Sequence, residues 1–219
     1  MDIETITCLL SGMSIQASRL GRTCLALFFF TRLGFLVVGA KTLYKNEEGD
    51  FVCNSSLQSC SSVCFNSYSP ISPFNLFTLQ VVVLFTHALT VASHFRHNSQ
   101  AKSTWLQSRL RSRLGLDKQH FLSILAKAMI EGIFVVTFYK IFDALQRPAA
   151  IQCDAIPCEN LITCTVQKAG AKNGFNLCMN IMALACLFVC LNELYLTGLK
   201  IYSKTSTLEK MHPTTKVYV

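Results

Sequence analysis

The chain has 219 residues, 51% of them hydrophobic and only 15% charged, with 20 Lys and Arg against 12 Asp and Glu for a formal charge of +8. A typical soluble domain carries about 25% charged residues, so this chain is short of charge for a water-facing surface, and its hydrophobicity excludes intrinsic disorder. The same shortage argues against a nucleic-acid binder, which is normally rich in charge as well as basic.

In chain order, residues 1–22 come first. Ile3, Ile6, Leu10 and Met13 recur at helical spacing, with Asp2 and Glu4 at the start. This predicts an amphipathic helix whose acidic residues favour its N-terminus. Left to itself such a helix lies on the membrane surface. A cleaved signal peptide is not expected, because the segment before the first apolar run is too long and no small-residue cleavage site follows.

A spanning helix needs roughly 20 mostly apolar residues, and four windows qualify: 23–40, 74–95, 120–142 and 173–199. A soluble bundle rarely contains four such windows. The predicted architecture is an all-α membrane protein, a bundle of four transmembrane helices joined by segments 41–73, 96–119 and 143–172, with a tail at 200–219. Lys and Arg collect on the cytosolic side. Segment 96–119 carries Arg96, Lys102, Arg109, Arg111, Arg113 and Lys118 against Asp117, and the tail carries Lys200, Lys204, Lys210 and Lys216 against Glu209. Segments 41–73 and 143–172 are together slightly acidic. Both termini and the middle segment are therefore expected in the cytosol, and the other two loops outside. A basic surface of this kind also suits anionic lipid or nucleic acid, but topology already accounts for it.

The eleven cysteines divide along the same lines. Cys53, Cys60 and Cys64 fall in the first outer loop, and Cys153, Cys158 and Cys164 in the second. Three and three on the oxidising side read as a disulfide framework, with 15 pairings open. A zinc site is the competing reading. The absence of His from both loops and the spacings C-x6-C-x3-C and C-x4-C-x5-C speak against it, so no metal and no cofactor are expected. Cys8, Cys24, Cys178, Cys186 and Cys190 lie in or beside the membrane helices, where a free Cys is a small apolar packer.

Charges inside a membrane are costly and face a partner or water. Arg32, Lys127, Glu131 and Glu193 are expected to face the bundle interior as a polar network. Lys127 and Glu131 share a helix face by their i, i+4 spacing. His87, His94 and His97 share roughly one face of the second span, which suits packing and an interfacial position better than a metal or pH-sensing role. The end Lys216-Val217-Tyr218-Val219 has the apolar character that PDZ-type domains capture, as do many unrelated tails. No nucleophile–base set, phosphate loop or ligand cluster suggests an enzyme.

With these cysteine spacings in place, the chain resembles the connexins, the gap-junction channel subunits, and most of all their short beta-type members. The resemblance runs over nearly the whole chain and is most specific in Phe51-Val52-Cys53-Asn54, Val63-Cys64-Phe65, Pro70-Ile71-Ser72 and the stretch Cys153 to Cys164. Arg32, Lys41, Gly12, Gly21 and the Lys127–Glu131 pair are also typical. The resemblance implies a homo-hexamer around a pore in the plasma membrane. The hexamer would dock to a hexamer of an adjacent cell, including hexamers of other connexins, and pass ions and small metabolites without catalysis. It implies pairing of the loops in reverse order: Cys53 with Cys164, Cys60 with Cys158 and Cys64 with Cys153. It also implies a pore lined by Asp2, Lys41, Thr42, Asn46, Glu47 and Asp50, docking through Asn54, Leu57, Gln58 and Asn160, and an N-terminal helix bent at Gly12 into the pore mouth. The partners expected are thus other copies of the chain and membrane lipids, not nucleic acid.

Several positions depart from the family pattern. Ile3 stands for a usual Trp, His87 for a Pro, Asn75 for an Arg and Phe77 for a Trp. Glu47 thereby lacks the Arg that usually joins neighbouring subunits, and of the acidic residues near this stretch that the family uses in calcium closure only Glu47 survives, beside Thr42 and Lys45. Leu57-Gln58 sits one residue late without the usual Pro-Gly. Leu161 and Thr163 replace polar Thr and acidic Asp, and Lys168 to Lys172 lacks the usual Pro and Glu. Two alternatives stand beside the docked channel: an undocked plasma-membrane hemichannel, and a four-span adhesion protein of the claudin kind. The second expects Trp in the first loop, whereas Trp105 lies in the middle segment.

Overall fold

A computed structural model describes residues 11, 18–55, 57–69, 71–100, 106–142, 148–154, 156, 158 and 161–211, and of 58, 95–100, 106–114 and 208–211 the backbone only. In chain order the elements are α1 (Arg19–Thr42), β1 (Phe51–Cys53), α2 (Gln58–Tyr68), α3 (Pro73–Gln100), α4 (Leu106–Phe142), β2 (Ala150–Cys153), β3 (Ile162–Val166) and α5 (Ala169–Met211). Helices α1, α3, α4 and α5 are long and apolar enough to cross a membrane. All four overrun the apolar windows. The hydrocarbon thickness limits only the apolar part of a helix, whereas Lys, Arg, Gln and Leu are good helix formers that carry it onward into water. The middle segment is accordingly helical from Leu106 onward. Helix α3 runs uninterrupted through His87.

Each long helix buries one stripe. On α1 it is Leu25, Phe29, Arg32 and Leu36; on α3 it is Leu76, Phe77, Gln80, Val81, Leu84 and Ala88. On α4 it includes His120, Ile124, Lys127, Glu131 and Phe138; on α5 it includes Met179, Ala183, Cys186, Cys190, Glu193 and Thr197. Steps of three and four residues keep such a stripe on one helix face. The stripes hold charge, while the opposite faces present Leu27, Phe30, Val38, Leu122, Ile133, Phe188 and Tyr195 to the outside. In water this arrangement would be inside out. In lipid it is the favourable one, because polar groups must be satisfied internally and apolar side chains meet hydrocarbon.

Contacts divide the chain into two compact units. One comprises Met1–Phe29, Val83–Glu131 and Ala185–Val219. Its core is Leu25, Ile124, Ala128, Cys186 and Cys190, with Phe28, Leu187, Val189 and Leu194 packed on it. The small sulfhydryls of Cys186 and Cys190 fill this core. Cys24 and Cys178, by contrast, are exposed on their helices. They lie on membrane-spanning helices, as expected, but off the buried stripes, and Cys8 lies outside the described residues.

The other unit comprises Phe30–Val82 and Gly132–Leu184. It contains a three-stranded antiparallel sheet in the order β1-β3-β2 and the short helix α2. Their shared core is Phe51, Cys60, Cys64, Cys153 and Cys164, with Phe65, Tyr68, Ile151 and Val166 packed around it. The sequence reading placed no elements in these loops. In the same unit aromatic rings pack in a run: Tyr44 stacks on Phe74 at 5.1 Å and meets Phe175 edge-on at 5.4 Å, and Phe77 stacks on Phe138 at 5.3 Å between centroids. Gly39 lets helix α1 come close to this stack, since a Cβ there would lie 2.8 Å from the Phe175 ring.

Candidate functional site

Three disulfides join the two loops: Cys53–Cys164, Cys60–Cys158 and Cys64–Cys153. The order is reversed along the chain, as the family resemblance implies. Local structure explains each rung. Cys53 and Cys164 are directly opposite on β1 and β3. The flanking backbone bonds, Asn54 N–H to Thr163 O at 3.0 Å and Gln167 N–H to Asp50 O at 2.7 Å, fall one pair above and three below. That makes 53/164 a non-hydrogen-bonded pair, the kind in which Cα atoms approach most closely, and here they are 3.9 Å apart. Cys60 and Cys64 are i, i+4 on α2, so one helix face carries both, and both are fully buried. Groups of three of these sulfurs lie close enough together to suggest a metal cluster. Metals take thiolates, and each of these sulfurs is in a disulfide.

Between α1 and β1 the chain turns through the residues expected to line a pore. Lys41, Thr42 and Asn46 are exposed, while Glu47 and Asp50 are half-buried. The Thr42 hydroxyl donates to the Val38 carbonyl at 2.8 Å. Asp50 is not a bare charge: Lys172 lies 3.0 Å and Lys168 3.7 Å from its carboxylate. Lys172 also sits 5.8 Å over the Tyr44 ring, whose hydroxyl donates to Asn176 at 3.2 Å. Tyr44, Lys172 and Asn176 wall a small open cavity of about 40 Å³ with Glu47, Phe51 and Tyr68. Lys168 holds φ at 57°, the left-handed region that costs a side chain roughly 1 kcal/mol. The sequence marks Lys168 and Lys172 as a departure but does not reveal their partner, which is over 110 residues away.

Of the residues expected to dock, Asn54 and Leu57 are exposed. The Gln58 side chain, Asn160 and Asp2 lie outside the described residues, as do Gly12, the His97 side chain and the last residues of the tail. Ile156 and Leu161 are exposed as well. His87 is half-buried and His94 exposed.

The four membrane charges, Arg32, Lys127, Glu131 and Glu193, are all buried. Two of them have bonds that sequence reasoning missed. The Lys127 ammonium donates to the backbone carbonyl of Ser11, itself fully buried. The Glu193 carboxylate accepts from the Ser18 hydroxyl and, at 3.5 Å, from the Ser18 N–H. Ser18 in turn caps α1, its oxygen accepting the Gly21 N–H at 3.0 Å. Ser18 just ahead of an apolar run is a helix-start signal, legible in the sequence. Deeper in the tail, Lys204 pairs with Asp117.

A family model described as Connexin matches residues 2–120 and 106–199. Together these take in both cysteine-bearing loops and reach all four long helices. The chain belongs to the connexin family: it is a multi-pass membrane protein and a subunit of gap-junction channels.

Proposed function

We propose that six copies of this chain surround a pore in the plasma membrane and that two such hexamers dock head to head between adjacent cells. Both termini and segment 96–119 face the cytosol, and the two disulfide-linked loops face outward. One observation carries this reading: all three disulfides tie the first loop to the second. Disulfides persist on the oxidising side of a membrane, so both loops share that side, and with four spans both termini take the other. The basic residues of 96–119 and the tail agree with that orientation.

The loops then form a rigid rim. Asn54 and Leu57 from the first loop, with Leu161 and Asn160 from the second, meet the opposing rim. Exposed Ile156 and Leu161 give it an apolar character. The outer part of the pore is lined by Lys41, Thr42, Asn46 and Glu47, and Asp2 stands at its cytosolic mouth. Asp50 contributes little free charge, since Lys168 and Lys172 balance it. A sixfold ring of Lys41 therefore opposes cations, and Lys41→Glu is expected to raise the permeability ratio of potassium over chloride.

Native mass spectrometry of protein extracted in mild detergent from contacting cells tests the assembly. Hexamers together with twelve-subunit particles are expected. Hexamers alone would favour an undocked hemichannel, and monomers or dimers alone would sink both readings.

A further inference from the structure

Of the ten Asn residues in the chain, only Asn54 heads an Asn-x-Ser or Asn-x-Thr triplet, Asn54-Ser55-Ser56. That is the acceptor pattern for N-linked oligosaccharide transfer, a reaction confined to segments that face the secretory lumen and later the outside. The triplet falls in the first of the two disulfide-linked loops. The one-residue shift of Leu57-Gln58 leaves position 56 to a Ser and so completes it.

The fold leaves the acceptor accessible. Asn54 follows β1, and its backbone is fixed there: its N–H donates to the Thr163 carbonyl at 3.0 Å, next to the Cys53–Cys164 disulfide. Its side chain is exposed, and none of the described residues holds it by a hydrogen bond. Ser55 and Leu57 beside it are exposed too, and the Ser55 hydroxyl accepts the Leu57 N–H at 3.2 Å. Ser56 lies outside the described residues and enters only as the third member of the triplet. The same two loops present Val52, Leu57, Ile156 and Leu161 to solvent. Apolar surface of this kind calls for a cover.

Resting on the outward orientation of the loops proposed above, we infer that Asn54 is an N-glycosylation acceptor and that its glycan decides whether a hexamer docks. In the transfer, the Asn54 amide nitrogen attacks the anomeric carbon of a lipid-pyrophosphate-linked oligosaccharide. The N–C bond forms, the C–O bond to pyrophosphate breaks, the nitrogen loses one proton and the lipid pyrophosphate leaves. Asn54 stands on the docking rim, so a bulky hydrophilic chain there keeps an opposing rim away and covers apolar surface. Symmetry repeats the obstacle around the ring, and one decorated subunit obstructs the whole rim. Decorated hexamers stay undocked at the cell surface, and hexamers bare at every Asn54 dock.

The test uses the full-length chain expressed in cultured animal cells. Digestion with peptide N-glycosidase should speed its migration on a gel and leave Asp at position 54, read by peptide mass. Ser56→Ala abolishes the triplet without touching a residue assigned to docking, and should migrate like the digested protein. Ser56→Thr preserves the triplet and should stay decorated. In paired cells, Ser56→Ala should raise junctional conductance and the twelve-subunit fraction several-fold at equal surface abundance, while Ser56→Thr should show no gain. Parent chain made while synthesis of the lipid-linked donor is inhibited keeps every residue and should show the same gain, which keeps the test open if Ser56→Ala folds poorly. Unchanged conductance once the glycan is absent would overturn the inference. Disulfide mapping of the same sample separates it from the reading it rests on. Unmodified Asn54 beside intact Cys53–Cys164, Cys60–Cys158 and Cys64–Cys153 overturns the inference alone, because the loops then still face the oxidising side. Unmodified Asn54 with all six loop cysteines reduced overturns both.

Discussion

In the unit built on the two loops, three disulfides and a run of stacked aromatic rings do the holding. In the unit that carries Ser11, Lys127 and Glu193, buried charges hold short stretches of backbone. The difference is one of reversibility. The disulfides are nested, Cys64–Cys153 inside Cys60–Cys158 inside Cys53–Cys164. Once one is closed, each neighbour closes a further ring of only about 10 to 15 residues, contributing about 3 kcal/mol apiece in the chain-entropy account. A docking rim needs that fixity, because association favours a surface already ordered. Charge-assisted bonds are weaker and can exchange partners.

The sharpest way to break this comparison is to cut a rung. Cys60→Ser removes about 3 kcal/mol of closure and strands the Cys158 thiol beside Cys64, whose sulfurs are 3.9 Å apart. Junctional current should be lost, and non-reducing gels should show mixed disulfide species; normal current from this variant would mean that the rim does not depend on its covalent frame. Gly39→Val tests the aromatic part of the same unit. The new side chain runs into the Phe175 ring, and overpacking of this kind costs about 1–3 kcal/mol, read as a lower unfolding temperature in detergent. Asp50→Asn leaves Lys172, largely buried, without its anion. A loss of about 1–2 kcal/mol follows, smaller than for a fully buried pair because both groups keep some contact with solvent. The smallest effect belongs to Lys168→Gly. It relieves the left-handed backbone at φ 57° and forfeits a long pair at 3.7 Å whose lysine is exposed and which is worth little. Stability should rise by about 0.5 kcal/mol, and a fall would show that the Lys168–Asp50 pair outweighs the strain.

Much of this architecture can be read from the chain before any coordinates. The apolar windows locate the four spanning helices, because only lipid tolerates so many uncharged residues in a row. Arg32, Lys127, Glu131 and Glu193 announce a buried face, because a charge in hydrocarbon must turn inward. What is not legible is pairing across long separations. Composition leaves the six loop cysteines with 15 combinations, and only the family resemblance chose among them. The strand register then supplies the reason: Cys53 faces Cys164. Helix α2 was hidden by its Ser-rich composition, although Cys60 and Cys64 at i, i+4 followed by Phe65 and Tyr68 carry a helical period. Lys168 and Lys172 were visible as unusual residues, yet their carboxylate partner lies in the other loop. Ser18 reads as a helix cap, but nothing local says that Glu193 closes it.

Dual whole-cell recording from paired cells tests the central claim most directly. In pairs that both express the chain, voltage-dependent junctional current is expected, and a reducing agent present during pair formation should prevent its appearance. Current confined to unpaired cells, or none in either setting from protein present at the surface, would contradict an intercellular channel docked through a disulfide-framed rim.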